Sequence, residues 1–119
     1  MFQLTNNTFK SKHSFEDRCQ EVCRVLEKYP DRVPIICEKL RNNQPDLDKT
    51  KYLVPWDLTI GQFVWVIRKR MTLNASQAIY ITIDGRIPPT SAVLGHIYHD
   101  LKDRDGFLYL KYTTENTFG

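Results

Sequence analysis

Near its C-terminal end the chain reads Asp105-Gly106 and then Phe107-Leu108-Tyr109-Leu110-Lys111-Tyr112. Strands with one wet face alternate apolar and polar residues, whereas a strand covered on both faces gives a near-continuous apolar run. Residues 107–112 are therefore a central, buried strand, entered through an Asp-Gly turn. The rest of the chain must supply strands at both its edges and helices to cover it.

Three other segments have strand character. Val33–Leu40 (VPIICEKL) is β-branched and apolar, with Pro34 near its start where a strand tolerates it. After the loop of residues 41–46, Lys51–Pro55 (KYLVP) is a short second strand whose lysine and proline suit an exposed sheet edge. These two form an antiparallel hairpin with a long loop. Ala78–Ile83 (AIYITI) is a third strand, closed by Asp84-Gly85.

Three helices alternate with them. The first starts at Ser14, where Ser14 and Asp17 resemble a capping box, and Phe15, Cys19, Val22 and Leu26 recur at helical spacing until Lys28-Tyr29-Pro30. Glu21 and Val25 fall on the shoulder of that stripe and face something other than the main core. Thr59 and Gln62 open the second helix, with Ile60, Phe63, Val66 and Ile67 as its apolar stripe. Arg68-Lys69-Arg70 close it, where cations oppose the macrodipole. A short third helix is expected from about Ser91, with Leu94, Ile97, Tyr98 and Leu101 on one side.

The order helix, β, β, helix, β, helix, β is that of an α+β, ubiquitin-like β-grasp: a four-stranded mixed sheet with an N-terminal helical extension. The 119 residues form one domain. Residues 1–28 are the extension and 113–119 (TTENTFG), which lack periodicity, are a flexible tail. Repeats and low-complexity tracts are absent from the sequence.

Composition narrows the function classes. The net charge of +3 is too small and too dispersed to imply nucleic acid. The opening MFQLTNNTFK lacks the apolar stretch of a secretory signal, and no apolar run approaches the roughly 18 residues of a membrane span. Membrane association is then expected to be peripheral or covalent, and the location cytoplasmic. Cys19, Cys23 and Cys37 read as reduced thiols. Cys19 and Cys23 stand four apart on the first helix, a spacing that could start a metal site, but no second Cys or His pair follows at ligand spacing. Buried structural cysteines are expected instead, with no metal and no cofactor. An enzyme is not indicated: no thiol has a paired base, and His13, His96 and His99 lack a nucleophile turn or paired carboxylates.

Several runs together resemble one family, the autophagy-related ubiquitin-like modifiers, which include microtubule-associated protein light chain and GABA-receptor-associated protein. They are Lys28–Pro34 (KYPDRVP), Leu47–Pro55 (LDKTKYLVP), Asp57–Phe63 (DLTIGQF), Val66–Arg70 (VIRKR), Pro88-Pro89-Thr90, Asp105–Tyr109 (DGFLY) and Glu115–Gly119 (ENTFG). The likeness extends from about Thr8 to the last residue.

The resemblance implies a non-enzymatic modifier joined through the carboxyl of Gly119 to phosphatidylethanolamine. An activating enzyme, a conjugating enzyme and a processing and delipidating cysteine protease would serve that cycle. The lipidated form would sit on autophagosomal membranes and bind cargo receptors and adaptors through aromatic-x-x-aliphatic motifs, which add a strand to the sheet. By matching position, the aromatic-anchor pocket would comprise Glu21, Val25, Pro34, Ile36, Lys51, Leu53 and Phe107. The aliphatic-anchor pocket would comprise Tyr52, Val54, Pro55, Leu58, Phe63 and Val66, and Arg32, Lys49 and Arg70 would meet acidic residues flanking the motif. Val54, Leu58 and Phe63 serve a plain helix–sheet core equally well.

Departures from the family pattern are modest. Val25 stands where isoleucine is common, and Trp56 and Trp65 occupy positions often smaller or different in relatives. Family members often carry residues beyond the glycine, so a chain ending on Gly119 is expected either to be born mature or to match the processed form. The competing expectation is an adaptor that binds peptides, or tubulin through its N-terminal helix, without lipidation.

Overall fold

The computed structural model describes residues 8–73 and 77–115. In chain order the elements are α1 (Phe9–Lys12), α2 (Phe15–Lys28), β1 (Arg32–Lys39), β2 (Lys51–Pro55), α3 (Ile60–Arg68), β3 (Ala78–Thr82), α4 (Leu94–Leu101) and β4 (Leu108–Glu115). The sheet order is β2-β1-β4-β3, with β4 parallel to β1 and the other pairs antiparallel. This is the mixed four-stranded sheet expected, with the C-terminal strand inside it and β2 at an edge.

Local chemistry sets the helix ends. The Ser14 hydroxyl oxygen accepts the Asp17 N–H at 3.1 Å, and Glu16 and Asp17 place negative charge in the first turn of α2. The box at α3 is reciprocal: Thr59 accepts from the Gln62 N–H at 3.2 Å and Gln62 accepts from the Thr59 N–H at 2.9 Å. α4 starts at Leu94, three residues later than expected. Val93 pairs with Thr59 as an isolated bridge and the Ala92 carbonyl accepts the Ile60 N–H, so residues 92–93 are held extended against the start of α3. α1 was not expected. Four residues are too few to show a period, and its start rests on Thr8 accepting the Ser11 N–H.

Both faces of the sheet are covered. Against α3 and α4 lies a continuous apolar core that includes Val33, Ile35, Cys37, Phe63, Ile67, Leu94, Leu108, Leu110 and Tyr112, all at most 1% exposed. Against α1 and α2 lies a small second cluster of Phe9, Val22, Ile36 and Phe107. Alternation along β1 explains the division: odd positions face α3, and Ile36 faces α2.

The strand β4 continues through Glu115, three residues beyond the apolar run. Residues 113–115 therefore belong to the sheet, not to a tail. Their partners are in β3 (Tyr80, Ile79 and Ala78), and Gln44 Oε1 accepts from both the N–H and the hydroxyl of Thr114. Polar residues hid this stretch because its pairing with β3 is through the main chain. The cysteine expectation also changes. Cys37 is buried, but Cys19 is half-buried and Cys23 exposed. The covered face of α2 centres on Arg18 and Val22, with Phe15 left 45% exposed. Leu101, expected on the covered side of α4, is exposed too.

Candidate functional site

The site is built on the unpaired edge of β2. Hydrogen-bonded pairs alternate along an antiparallel ladder. The Cys37 N–H donates to the Thr50 carbonyl at 2.9 Å and the Trp56 N–H to the Asp31 carbonyl at 3.1 Å. With Ile35 opposite Tyr52 and Val33 opposite Val54, the even residues of β2 bond to β1. The main-chain groups of Lys51 and Leu53 consequently point outward. Pro55, which has no N–H, closes the strand, and Lys51 opens it, as an edge that must stay soluble requires.

Beside this edge, between β2 and α2, lies a pocket of about 150 Å³ lined by Glu21, Val25, Pro34, Lys49, Lys51, Tyr52, Leu53 and Phe107. Six of the seven residues proposed from sequence for the aromatic anchor meet here. Ile36 does not line it. The residue is fully buried below, packed with Phe9, Val22 and Phe107. Lys51 Nζ and Glu21 Oε2 pair at 2.5 Å, joining β2 to α2 across the pocket. Because both groups are partly exposed, that pair contributes about 0–1 kcal/mol and can open to a ligand.

The aliphatic set lies farther along β2. Val54 and Phe63 are buried in the larger core, Leu58 and Val66 are half-buried against it, and Pro55 is exposed. Tyr52, assigned to this set, instead lines the first pocket and packs edge-to-face on Phe63, 5.3 Å between centroids. It stands between the two sets. Its hydroxyl is buried without a protein partner among the described residues, and burial holds its pKa well above the usual tyrosine range.

The flanking cations are less uniform than expected. Arg70 Nε lies 3.3 Å from Asp48, the Arg32 guanidinium sits 5.2 Å from the Tyr29 ring centroid, and Lys49 Nζ lies 5.2 Å from that of Tyr52. Trp56 is half-exposed, and its ring lies against Gly95: a Cβ there would come within 2.0 Å of it. Trp65, also exposed, carries Lys69 Nζ 3.6 Å from its ring centroid.

Sequence reasoning missed what holds the far wall of the pocket. Arg18 Nη1 pairs with Asp105 Oδ2 at 2.7 Å, with only 2% of Asp105 exposed. Asp105 also accepts the Phe107 N–H at 2.8 Å and the Tyr109 hydroxyl at 2.5 Å. Burial opposes the Arg18 charge, but the bonds to Asp105 and Tyr109 outweigh it and raise the guanidinium pKa. Lys10 Nζ meets Asp103 at 2.6 Å, and the Phe9 N–H meets Glu38 at 2.7 Å, which dock α1 on the same side. The Asp-Gly turn and the Asp105–Tyr109 run touched this cluster, but neither pointed to Arg18.

A larger hollow of about 400 Å³ lies between the β1–β2 connection and β4. Its carboxylates are engaged, Glu38 by the Phe9 N–H and Asp46 by Lys39 at 2.5 Å. Among the described residues no cluster of three or more His, Cys, Asp or Glu is placed to hold a metal, and no helix is long and apolar enough to cross a membrane. Gly119 lies outside the described residues.

Residues 17–119 match the family described as "Autophagy protein Atg8 ubiquitin like". The chain belongs to the Atg8 family. It is 55% identical to Autophagy-related protein 8 of Mycosarcoma maydis, over 95% of this chain and 97% of that one. It is 51% identical to Autophagy-related protein 8c of Arabidopsis thaliana, over 98% of both. The crystal structure of Trypanosoma brucei ATG8 superposes with a TM-score of 0.87 at 47% identity, covering 97% of this chain and all of the other. As an Atg8-family member the chain is a ubiquitin-like autophagy protein, and the resemblance read from its motifs is borne out.

Proposed function

We propose that this Atg8-family chain is a modifier joined through Gly119 to phosphatidylethanolamine, and that it recruits receptors and adaptors by strand addition at β2. The observation that carries the recruitment part of the proposal is the juxtaposition of the outward main chain of Lys51 and Leu53 with an apolar pocket of about 150 Å³. A peptide strand takes its affinity from main-chain bonds and its specificity from pockets. Burying two apolar anchors contributes roughly 1.5–3 kcal/mol each, offset by ordering and association costs. Dissociation constants on the order of micromolar follow.

The conjugation step needs a carboxyl that reaches an enzyme cleft. Four residues, Asn116 to Gly119, follow the last position of β4. Lacking a Cβ, glycine lets the main chain enter a narrow channel and leaves its carbonyl open to thiol and amine attack. Phosphatidylethanolamine brings two acyl chains at about 0.8 kcal/mol per buried CH₂, and two chains anchor stably where one does not. Such an anchor would serve a chain in which no described helix is long and apolar enough to cross a membrane. On this reading the protein is not an enzyme, moves between cytoplasm and autophagosomal membrane, and is served by activating and conjugating enzymes and a cysteine protease.

The test is incubation with activating enzyme, conjugating enzyme, ATP and phosphatidylethanolamine vesicles. A gel shift and the lipid's mass gain are expected, lost on deletion of Gly119 and severely reduced by Gly119→Ala, with motif-peptide binding unchanged. Peptide binding without lipidation of the full chain would leave the unconjugated adaptor, whether for peptides or tubulin, as the function.

A further inference from the structure

Two thiols remain unused by this function. Cys19 and Cys23 lie on one flank of α2, half-buried and exposed respectively, and line an open hollow of about 350 Å³ with Gln20, Arg24 and Glu27. At 100° per helical residue, Cys23 stands about 200° from Glu21 and from Val25, the residues α2 gives to the docking pocket. The hollow is therefore on a different side of the helix from the peptide site.

We infer that Cys19 and Cys23 form a two-coordinate site for a soft monovalent metal ion, Cu(I). Three observations lead there. First, four-residue spacing on a helix separates Cβ atoms by about 5–6 Å, whereas a disulfide needs about 3.5–4.5 Å. The pair stays as two thiols unless the helix unwinds. Second, metal–thiolate bonds of roughly 2.3 Å set two sulfurs sharing one ion about 4–5 Å apart, which those Cβ positions allow. Third, no group of three or more metal-binding side chains is assembled among the described residues. A zinc site, which closes with four ligands, is left incomplete. Soft thiolates select Cu(I), and two of them suffice for it.

Each thiol releases its proton to solvent as it becomes a ligand, and one Cu(I) held by two thiolates leaves a net charge of −1. Of the charged groups in the hollow, Arg24 opposes that charge and Glu27 adds to it, so the site stays anionic and open to solvent. The ion enters and leaves as Cu(I), so no redox partner is involved. Cys37 takes no part, since it is 1% exposed inside the larger core.

The experiment uses the full reduced chain without oxygen, titrated with Cu(I) in competition with bicinchoninate. One equivalent of Cu(I) should be withdrawn from the dye complex. Cys19→Ser and Cys23→Ser should each abolish that withdrawal, with the helical circular dichroism and motif-peptide binding unchanged. Cys23→Ser/Glu27→Cys keeps the number of thiols but sets them two turns apart, about 12 Å along the axis, and should also fail. No withdrawal by the natural chain would overturn the proposal. So would equal binding by the Cys19→Ser/Cys23→Ser or the displaced-thiol variant, or half an equivalent with dimer formation, which would mean an ion bridging two chains.

Discussion

The two faces of the sheet are built differently. The face under α3 and α4 is closed and apolar, with Phe63, Ile67, Leu94, Leu108 and Leu110 at most 1% exposed. The face under α1 and α2 has a small apolar cluster of Phe9, Val22, Ile36 and Phe107, a buried Arg18–Asp105 pair and an open pocket. Burial of apolar side chains adds stability in proportion to the area removed from water. A polar network adds less, because desolvation offsets most of the attraction, but it fixes geometry. The contrast places stability on the α3 face and recognition on the other.

The strongest challenge to that division is truncation on each face. Phe63→Ala removes a ring with no exposure and should cost about 3–5 kcal/mol, read as a lowered denaturation midpoint with unchanged slope. Arg18→Met should cost somewhat less, about 3 kcal/mol, because it strands the Asp105 carboxylate in the interior. If Arg18→Met left stability unchanged, Asp105 would not need its partner and the account of the pocket's far wall would fail. Tyr52 is no neutral probe of the docking edge. Its side chain belongs to the larger core, so Tyr52→Ala should weaken fold and binding together.

Smaller effects sharpen the picture. Burial tends to raise the Asp103 pKa, but hydrogen bonds from Lys10 and the Asp105 N–H prevail and lower it. A depressed carboxylate contributes stability that is fully present above its ordinary pKa near 3.9 and is lost as pH falls through its lower folded value. The docking of α1 should therefore hold at neutral pH and loosen only in acid. Lys10→Ala should flatten that dependence, seen in the acid limb of pH-dependent thermal melts. Lys51→Ala should change stability by less than about 1 kcal/mol, since its pair with Glu21 is exposed. It should nonetheless slow association with acidic motif peptides, and 1 M salt, where the Debye length is near 3 Å, should erase the difference. A rate indifferent to salt and to Lys51 would mean that the cations only balance local carboxylates such as Glu21 and Asp48.

Much of this was legible from residue patterns, for reasons that differ by element. The apolar run at 107–112 placed β4 inside the sheet, and Thr59 with Gln62 placed the start of α3, because burial and capping are written in adjacent residues. Lys51 and Pro55 marked the free edge. The Arg18–Asp105 pair was not visible, since its partners are 87 positions apart and each has an ordinary surface role locally. The covered face of α2 was misjudged for the same cause: a buried arginine, paired at a distance, takes the place an apolar residue would mark. The β4 extension to Glu115 escaped because threonine pairs well in strands without giving an apolar signal. Most of the first pocket followed from the family resemblance, while Lys49, which precedes β2, and Tyr52 line it as well.

Amide hydrogen exchange of β2 tests the docking edge most directly. The main-chain groups of Lys51 and Leu53 face outward, and those of Tyr52 and Val54 face β1. On saturation with a Trp-x-x-Leu peptide, the Leu53 and Lys51 amides should gain protection. Tyr52 and Val54, already bonded within the sheet, should change far less. Saturable binding that left Lys51 and Leu53 exchanging as in the free protein would contradict strand addition at β2.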